Sequence, residues 1–229
     1  MLNKIAIIDY GMGNLHSVAK ALDHVGTQKE DHVEISITAD PRIIEASDRV
    51  VFPGVGAIRD CMAAINRLGI GAIIGDCIAA EKPILAICVG MQSLMTMSDE
   101  NGGVNCLDII PGRVKNFSNR LLDEQGKRLK VPHMGWNVVS FDAGHPLWTG
   151  IKNRTRFYFV HSYYVPTTEI NPGSQVAGQT LYGENFVAAV AKKNIFATQF
   201  HPEKSQAAGL LMLKNFLEWD GTVINTEHL

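Results

Sequence analysis

The sequence predicts an α/β fold: helices cover both faces of a mostly parallel central sheet, and antiparallel strands are added in the C-terminal half. In the first hundred residues, short apolar runs alternate with segments whose apolar residues recur at helical spacing. Such runs are typical of parallel strands buried on both faces. From about residue 138, strand-like runs follow one another with few helical segments between them, which favours antiparallel pairing. No linker divides the chain, so residues 1–229 are expected to form a single domain.

In the N-terminal half, each predicted strand is followed by a turn and a helix. The apolar run at 4–9 precedes Gly11 and Gly13, and a helical pattern follows these glycines. Pro53 ends the next buried run in the same way. The predicted elements are a strand at 4–9, a helix at 15–25, a polar loop at 27–34, a helix at 41–46, a strand at 49–52, helices at 58–68 and 72–80, and a strand at 84–88.

The C-terminal half is predicted to contain mostly strands. Met91, Leu94 and Met95 still have the i, i+3, i+4 spacing of one helix face. Residues 192–194 separate two apolar runs and have the composition of a hairpin turn. The predicted elements of this half are strands at 138–141, 157–165, 186–191 and 195–200, and a final helix at 205–219.

The composition excludes several classes of function. Lys and Arg number 21 and Asp and Glu number 23, a net charge of −2, so no nucleic acid or membrane partner is expected. No apolar run reaches the ~18 residues of a membrane span, and the first run is too short for a signal peptide. The four cysteines form no CxxC pair, which disfavours zinc sites and disulfide scaffolds. We therefore expect a cytoplasmic protein with no metal and no cofactor.

Cys88 is the first candidate for chemistry. An apolar strand ends at this residue and a helix is predicted to begin at about Gly90, which is the arrangement of a nucleophile elbow. The positive end of the helix dipole favours the thiolate, and the N–H of Val89 is placed to bind an oxyanion. The small Gly90 allows the turn to pack. A buried structural cysteine explains residues 86–90 alone equally well.

His201 and Glu203 are the second candidate, since a thiol nucleophile needs a base and the base needs an orienting group. In an extended backbone, residues i and i+2 point to the same side, and Pro202 is expected to keep this segment extended. His201 and Glu203 would then share a hydrogen bond. A lone His-Pro-Glu is usually a surface turn, but together with Cys88 it completes a nucleophile, a base and an acid.

Other glycines and histidines carry weaker signals. The glycines of residues 53–56 allow positive φ and close approach to a ligand, and an N–H there can serve as a second oxyanion donor; an ordinary turn explains this segment equally well. Gly11 and Gly13 lack the third glycine of a dinucleotide site, which we therefore reject. His133 and His161 are interpreted as structural histidines.

Taken together, these segments resemble the class I (triad) glutamine amidotransferases. AICVGMQ is similar to the nucleophile motif of that family, PGVG to its oxyanion loop and QFHPEKS to its His/Glu motif. The further segments DYGMGNLHSV, VPHMGWN and YFVHSYYV resemble the branch that serves histidine biosynthesis, and this resemblance covers essentially the whole chain. Ala86 and Val89 replace the more common Gly and Leu, without putting activity in doubt. The resemblance implies a flavodoxin-like fold and L-glutamine as the substrate.

The resemblance also implies a role for particular residues. Cys88 would attack the glutamine amide, His201 would activate the thiol and protonate ammonia, and Glu203 would orient His201. A glutamyl thioester would form and then be hydrolysed. The oxyanion donors would be Val89 and, after a loop adjustment, Val55. Glutamine would contact Gly54, Gly56, Gln92 and the backbone of Ser162 and Tyr163. A separate (β/α)₈ cyclase subunit would bind at Asn14, Trp136, Tyr158 and Lys204, which lie at the interface or near the ammonia exit.

Three alternatives remain open from the sequence alone. A related glutaminase could supply ammonia to another synthase, for example one that aminates surface sugars, and only the partner surface would distinguish it. A stand-alone cysteine hydrolase would need an open cleft and would act without a partner. A non-catalytic regulatory subunit is disfavoured because Cys88, His201 and Glu203 are all present.

Overall fold

The computed structural model describes residues 2–27, 33–118, 120–142, 144–170 and 174–222. Its helices are α1 (Leu15–Thr27), α2 (Pro41–Glu45), α3 (Ile58–Arg67), α4 (Ile70–Ala79), α5 (Val89–Ser93) and α6 (Gln206–Glu218). Its strands are β1 (Asn3–Ile8), β2 (Val33–Thr38), β3 (Arg49–Gly54), β4 (Ile84–Cys88), β5 (Met97–Ser98), β6 (Val104–Asn105), β7 (Arg113–Asn116), β8 (His133–Val139), β9 (Thr155–His161), β10 (Tyr163–Tyr164), β11 (Gln175–Tyr182), β12 (Glu184–Lys192) and β13 (Ile195–Thr198). Short 3₁₀ turns cover Glu100–Gly102, Pro146–Trp148, Thr167–Glu169 and Pro202–Lys204.

The central sheet has seven strands in the order β11-β12-β13-β4-β3-β1-β2. The five strands from β13 to β2 are parallel, and β12 and β11 extend the sheet in antiparallel pairing. The predicted α/β class with a mostly parallel sheet and antiparallel additions is therefore confirmed. In this register Gly54 of β3 lies opposite Cys88 of β4, and Thr198 of β13 lies opposite Ile87. The carboxyl ends of three neighbouring strands therefore meet at one edge, where α/β folds bind ligands.

Strand β4 is the centre of the core. All five of its residues are buried, as expected of a parallel strand with helices on both faces. Helix α1 packs against α6, while α3 packs against α4 and α5, so that two groups of helices cover the sheet. Within the described residues, none of the individual helices has both the length and the apolar composition of a membrane span. Only α3 and α4 taken together, across a 76° bend, meet these two criteria.

Two smaller sheets lie outside the central one. Strands β10, β7, β5 and β6 form the first, and β8 and β9 pair antiparallel as a two-stranded ribbon. We call this pair the β8–β9 ribbon. It places His133 opposite His161 and Trp136 opposite Tyr158. Because side chains alternate along a strand, these two pairs lie on opposite faces of the ribbon.

Several predicted elements need correction. The segment predicted as a polar loop at 27–34 instead contributes Thr27 to α1 and begins β2 at Val33, while residues 28–32 lie outside the described residues. Strand β11 and the short strands β5 to β7 were not predicted, and α5 ends at Ser93, before Leu94 and Met95. The hairpin turn at 192–194 is confirmed: β12 and β13 pair antiparallel, and Lys193 takes a φ of 51°.

Candidate active site

The turn after β4 holds Cys88 in an unusual backbone conformation. Its φ is 56° and its ψ is −112°, a region that non-glycine residues rarely occupy. Helix α5 begins at the next residue, so the N–H of Val89 has no partner within the helix. The turn also needs two glycines: a Cβ on Gly90 would lie 2.0 Å from the Phe52 carbonyl oxygen, and one on Gly54 would lie 2.6 Å from Gly90 N. The predicted elbow is therefore present.

His201 and Glu203 meet at the end of β13. His201 Nδ1 lies 2.8 Å from Glu203 Oε1, and both side chains are buried. The same carboxylate oxygen accepts a 3.3 Å hydrogen bond from Asn14 Nδ2. The expected contact is therefore present, but the expected geometry was wrong: Pro202–Lys204 form a 3₁₀ turn, and the contact closes across this turn and not along an extended strand.

The charges of this pair are set by their neighbours. Burial lowers the pKa of His201, but the charge of Cys88, and then the hydrogen bond and charge of Glu203, raise it, to about 10. Burial raises the pKa of Glu203, but the hydrogen bond and charge of His201 lower it, and the net shift is downward. Both shifts favour the charged forms, the imidazolium of His201 and the carboxylate of Glu203. His201 Nε2 is buried with no hydrogen-bond partner among the described residues, so it is free to exchange a proton.

The loop at 53–56 lies against the elbow and is held by two side chains. Tyr10 Oη donates a 2.8 Å hydrogen bond to the Pro53 carbonyl, and the buried Cys61 thiol donates to the Val55 carbonyl over 3.4 Å. Gly56 takes a φ of 93°, which only glycine adopts readily. Burial raises the pKa of Cys61 to about 11, so this second thiol is a poor nucleophile.

The elbow, the loop and the histidine meet at one cavity of about 440 Å³. Its walls include Cys88 and His201, together with residues of the 53–56 loop, of α5 and of the segment that links β9 to β10. The lining residues are Val55, Gly56, Cys88, Val89, Gln92, Glu100, Pro132, Val160, His161, Ser162, Tyr163, His201 and Lys204. A thiol, an imidazole and the N–H at the start of α5 around one cavity are the groups that acyl transfer requires.

Replacing Glu203 with glutamine is expected to lower the pKa of His201. A neutral amide cannot favour the imidazolium, so His201 should lose its proton about one to three pH units lower than in the unchanged protein. The measurement is an NMR titration of ¹⁵N-labelled histidine side chains between neutral pH and pH 11. The control is Glu100→Gln, since Glu100 lines the same cavity but its carboxylate accepts a hydrogen bond from the Ile58 N–H. An unchanged midpoint in Glu203→Gln would contradict the assigned cause.

A scan against family models matches residues 6–219 to the class I glutamine amidotransferases. The match spans more than nine-tenths of the chain and includes both the elbow and the His201–Glu203 turn. The chain belongs to the class I glutamine amidotransferase family.

Curated relatives within this family are close in sequence. The chain is 54% identical over 220 residues to the imidazole glycerol phosphate synthase subunit HisH of Pseudomonas putida, with 96% of this chain and 99% of the relative covered. It is 52% identical to the protein of the same name from Methylococcus capsulatus, with 96% and 98% covered. The similarity therefore extends over essentially the whole length of both chains.

Solved structures share the fold of the family at low identity. A putative GMP synthase protein from Thermoplasma acidophilum superimposes with a TM-score of 0.67 at 21% identity, covering 95% of this chain and 94% of that one. The glutaminase domain of Trypanosoma brucei CTPS, solved with bound acivicin, gives a TM-score of 0.64 at 16% identity, covering 97% and 96%. These similarities confirm the flavodoxin-like α/β architecture.

The structure brings most of the predicted site residues of this family to one place. Of the predicted glutamine-contacting and oxyanion set, Val55, Gly56, Val89, Gln92, Ser162 and Tyr163 line the cavity, and Gly54 lies behind it against Gly90. Of the predicted interface set, Asn14 contacts Glu203 and Lys204 lines the cavity. Trp136 and Tyr158 form an edge-on aromatic pair with ring centroids 6.1 Å apart.

One neighbour of the sulfur was missed by the sequence reasoning. Gln199 is fully buried, and its Nε2 lies 3.7 Å from Cys88 Sγ. Gln199 is part of the QFHPEKS motif, from which only the histidine and the glutamate were predicted to be site residues. Among the described residues, no group of three or more His, Cys, Asp or Glu side chains is arranged to hold a metal ion.

Proposed function

We propose that this chain is the glutaminase subunit of an imidazole glycerol phosphate synthase, which acts in histidine biosynthesis. It would hydrolyse L-glutamine and deliver the ammonia to a separate (β/α)₈ cyclase subunit, where imidazole glycerol phosphate and the aminoimidazole carboxamide ribotide are made. The proposal treats residues 1–229 as one domain located in the cytoplasm, where a catalytic thiol stays reduced. The observation that carries it is the full-length similarity to HisH, supported by the arrangement of Cys88, His201 and Glu203.

In the first half of the proposed reaction, the proton of the Cys88 thiol passes to His201 Nε2, and the sulfur attacks the side-chain carbonyl carbon of glutamine. The carbonyl oxygen becomes an oxyanion, which the N–H of Val89 stabilises. Val55 becomes the second donor after the 53–56 loop adjusts. The C–N bond then breaks, and His201 gives its proton to the leaving nitrogen, so that ammonia departs and a glutamyl thioester remains.

In the second half, water replaces ammonia. The imidazole of His201 is now neutral and takes a proton from a water molecule, which attacks the thioester carbon. The C–S bond breaks, glutamate leaves, and the sulfur takes the proton back from His201. Glu203 keeps its negative charge throughout and stabilises the imidazolium, which matches the downward shift of its pKa.

The β8–β9 ribbon is the proposed docking surface for the cyclase subunit. Met134 is 62% exposed and Trp136 is 42% exposed, and large apolar side chains of this kind are typical of interfaces. The Trp136 ring contacts Tyr158, whose carbonyl accepts a 2.9 Å hydrogen bond from the backbone N–H of His201. A partner bound at Trp136 therefore lies two contacts away from the proposed base.

We expect a histidine-pathway cyclase subunit to stimulate glutamate release from glutamine. The purified chains are mixed, and glutamate is measured with and without the nucleotide ligand of the cyclase. Ligand-dependent stimulation of roughly 5- to 150-fold is the range of typical coupling between sites. Cys88→Ala should abolish it, whereas Cys77→Ala, which removes a thiol from the far end of α4, should not.

Two other outcomes would change the proposal. High activity of the isolated chain would count against the proposal and favour an enzyme that acts without a partner, because a glutaminase with no acceptor would waste glutamine. If glutamate release is low both without and with the cyclase, the proposed glutaminase chemistry is retained. The ammonia acceptor would then be a different synthase, such as one that aminates surface sugars.

A further inference from the structure

Two buried histidines have no part in the mechanism above. His133 and His161 face each other across the β8–β9 ribbon, and His133 Nδ1 lies 2.9 Å from His161 Nε2. At one end, His133 Nε2 lies 3.2 Å from Asn137 Nδ2. At the other end, His161 Nδ1 lies 2.8 Å from the Tyr163 carbonyl oxygen. The two imidazoles are 3% and 6% exposed, so the row is shielded from water.

The Tyr163 carbonyl determines the donor and the acceptor in each of these three hydrogen bonds. The Tyr163 carbonyl can only accept, so His161 Nδ1 carries the proton and His161 Nε2 accepts from His133 Nδ1. His133 Nε2 then accepts from the Asn137 amide. Burial lowers the pKa of His133 to about 4, and burial, followed by the neighbouring His133, lowers the pKa of His161 to about 3. Both imidazoles are therefore neutral, as this arrangement requires.

The row continues from Tyr163 to the nucleophile. The Tyr163 carbonyl also accepts a 3.0 Å hydrogen bond from Gln92 Nε2, whose amide group donates in addition to Gln199 Oε1 over 2.9 Å. Because Gln199 accepts through its oxygen, the group 3.7 Å from Cys88 Sγ is its N–H donor. An uncharged N–H beside the sulfur stabilises a thiolate without competing for its proton.

The other end of the row reaches a surface groove. His133 and Asn137 line a cavity of about 560 Å³ beside the ribbon. Asn137 also donates to the Leu181 carbonyl over 3.0 Å, and the Tyr182 ring stacks on His133 with centroids 4.0 Å apart. The exposed Trp136 belongs to the same strand, β8, as His133 and Asn137. A displacement of β8 therefore moves the row.

We propose that a relay of hydrogen bonds positions the Cys88 sulfur and couples it to the β8–β9 ribbon; its members are Asn137, His133, His161, the Tyr163 carbonyl, Gln92 and Gln199. The coupling half of this inference rests on the proposed docking of a cyclase on the ribbon. The members are positioning residues: each holds the next, and only Gln199 touches the reacting atom. Since the side chains of His133, His161, Gln92 and Gln199 are buried, loss of one link leaves a polar group unpaired, and the relay responds as a unit.

The test compares two replacements of His133. His133→Phe keeps a ring that can pack against Phe159 and Tyr182 but removes the proton donor to His161, whereas His133→Asn keeps an N–H near the place of Nδ1. In the isolated protein, the rate of Cys88 alkylation by iodoacetamide is followed by mass spectrometry. His133→Phe should lower it about tenfold, the equivalent of one hydrogen bond lost from the relay, and His133→Asn should restore it.

Steady-state kinetics of the complex supply the second measurement. His133→Phe should lower kcat and leave the KM for glutamine unchanged, and should reduce the stimulation by the cyclase. If the wild-type chain is not stimulated, the proposed function fails, while the alkylation rates still decide the positioning half. Gln199→Met, which keeps the length of the side chain but removes the donor, should match His133→Phe and serves if that variant does not fold.

The matched control is His145, another buried histidine of the described residues. It is 2% exposed, and burial lowers its pKa to about 4, but it packs against Phe196 and Trp219 and belongs to no part of the relay. His145→Phe should change neither the alkylation rate nor kcat. If His145→Phe lowered the alkylation rate and kcat as much as His133→Phe, general loosening of the core would explain both variants, and the relay would be overturned. Unchanged rates in both His133→Phe and Gln199→Met would overturn it as well.

Discussion

Replacing Cys88 with glycine is expected to abolish glutamine hydrolysis and to leave the fold more stable than replacing it with alanine. The loss of activity follows from the proposed role of the sulfur, and removal of a nucleophile of this kind costs at least about 10³-fold. The stability difference follows from the backbone. At φ 56° and ψ −112°, a side chain with a Cβ is strained by roughly 1–3 kcal/mol, and glycine is not.

Cys77 supplies the matched comparison for this substitution. It is also a buried cysteine, but it lies within α4, where glycine is about 1 kcal/mol less favourable than alanine. Chemical denaturation of the four variants should therefore give opposite signs: glycine above alanine at Cys88, and glycine below alanine at Cys77. If the two positions gave the same sign, the elbow would not be strained. If Cys88→Gly still hydrolysed glutamine, Cys88 would not be the nucleophile.

The elbow could be predicted from sequence because the features that indicate it are local. The apolar run ends at Cys88, the structure ends β4 at the same residue, and Gly90 is the small residue that the turn requires. The His201–Glu203 contact was also predicted, since two residues that close in sequence meet in more than one conformation. The predicted contact was therefore correct although the predicted backbone was not: an extended segment was expected, and the structure has a 3₁₀ turn.

Other features depend on long-range pairing, which no local pattern specifies. Strand β2 has the alternating sequence Val-Glu-Ile-Ser-Ile-Thr, yet only its register beside β1 makes it a strand of the sheet. The relay depends on such pairing even more strongly. His133 and His161 are 28 residues apart, and Gln199 is 111 residues from Cys88. Spacing in the sequence gives no indication that these side chains touch.

Replacing Gly90 with alanine is expected to destabilise the protein by about 3 kcal/mol, the upper end of the usual cost of overpacking. The new Cβ would lie 2.0 Å from the Phe52 carbonyl oxygen and 3.0 Å from its carbon. Those atoms belong to the backbone of β3, a central strand, so they cannot rotate away as a side chain would. The strand and α5 must separate instead. That movement displaces Cys88, and a shift of about 1 Å at a reacting group can cost about 10²-fold in rate.

The same methyl group added at Gly75 should have the opposite effect on stability. Gly75 lies inside α4, and an added Cβ would meet nothing within 4 Å. Alanine there should stabilise the helix by up to about 1 kcal/mol, because it loses less backbone freedom on folding, and glutaminase activity should not change. Thermal unfolding and activity of the two variants separate the requirement for glycine at the elbow from the general effect of adding a methyl group. Equal stability of Gly90→Ala and Gly75→Ala would mean that β3 and α5 can yield, and that the position of Cys88 does not depend on their close contact.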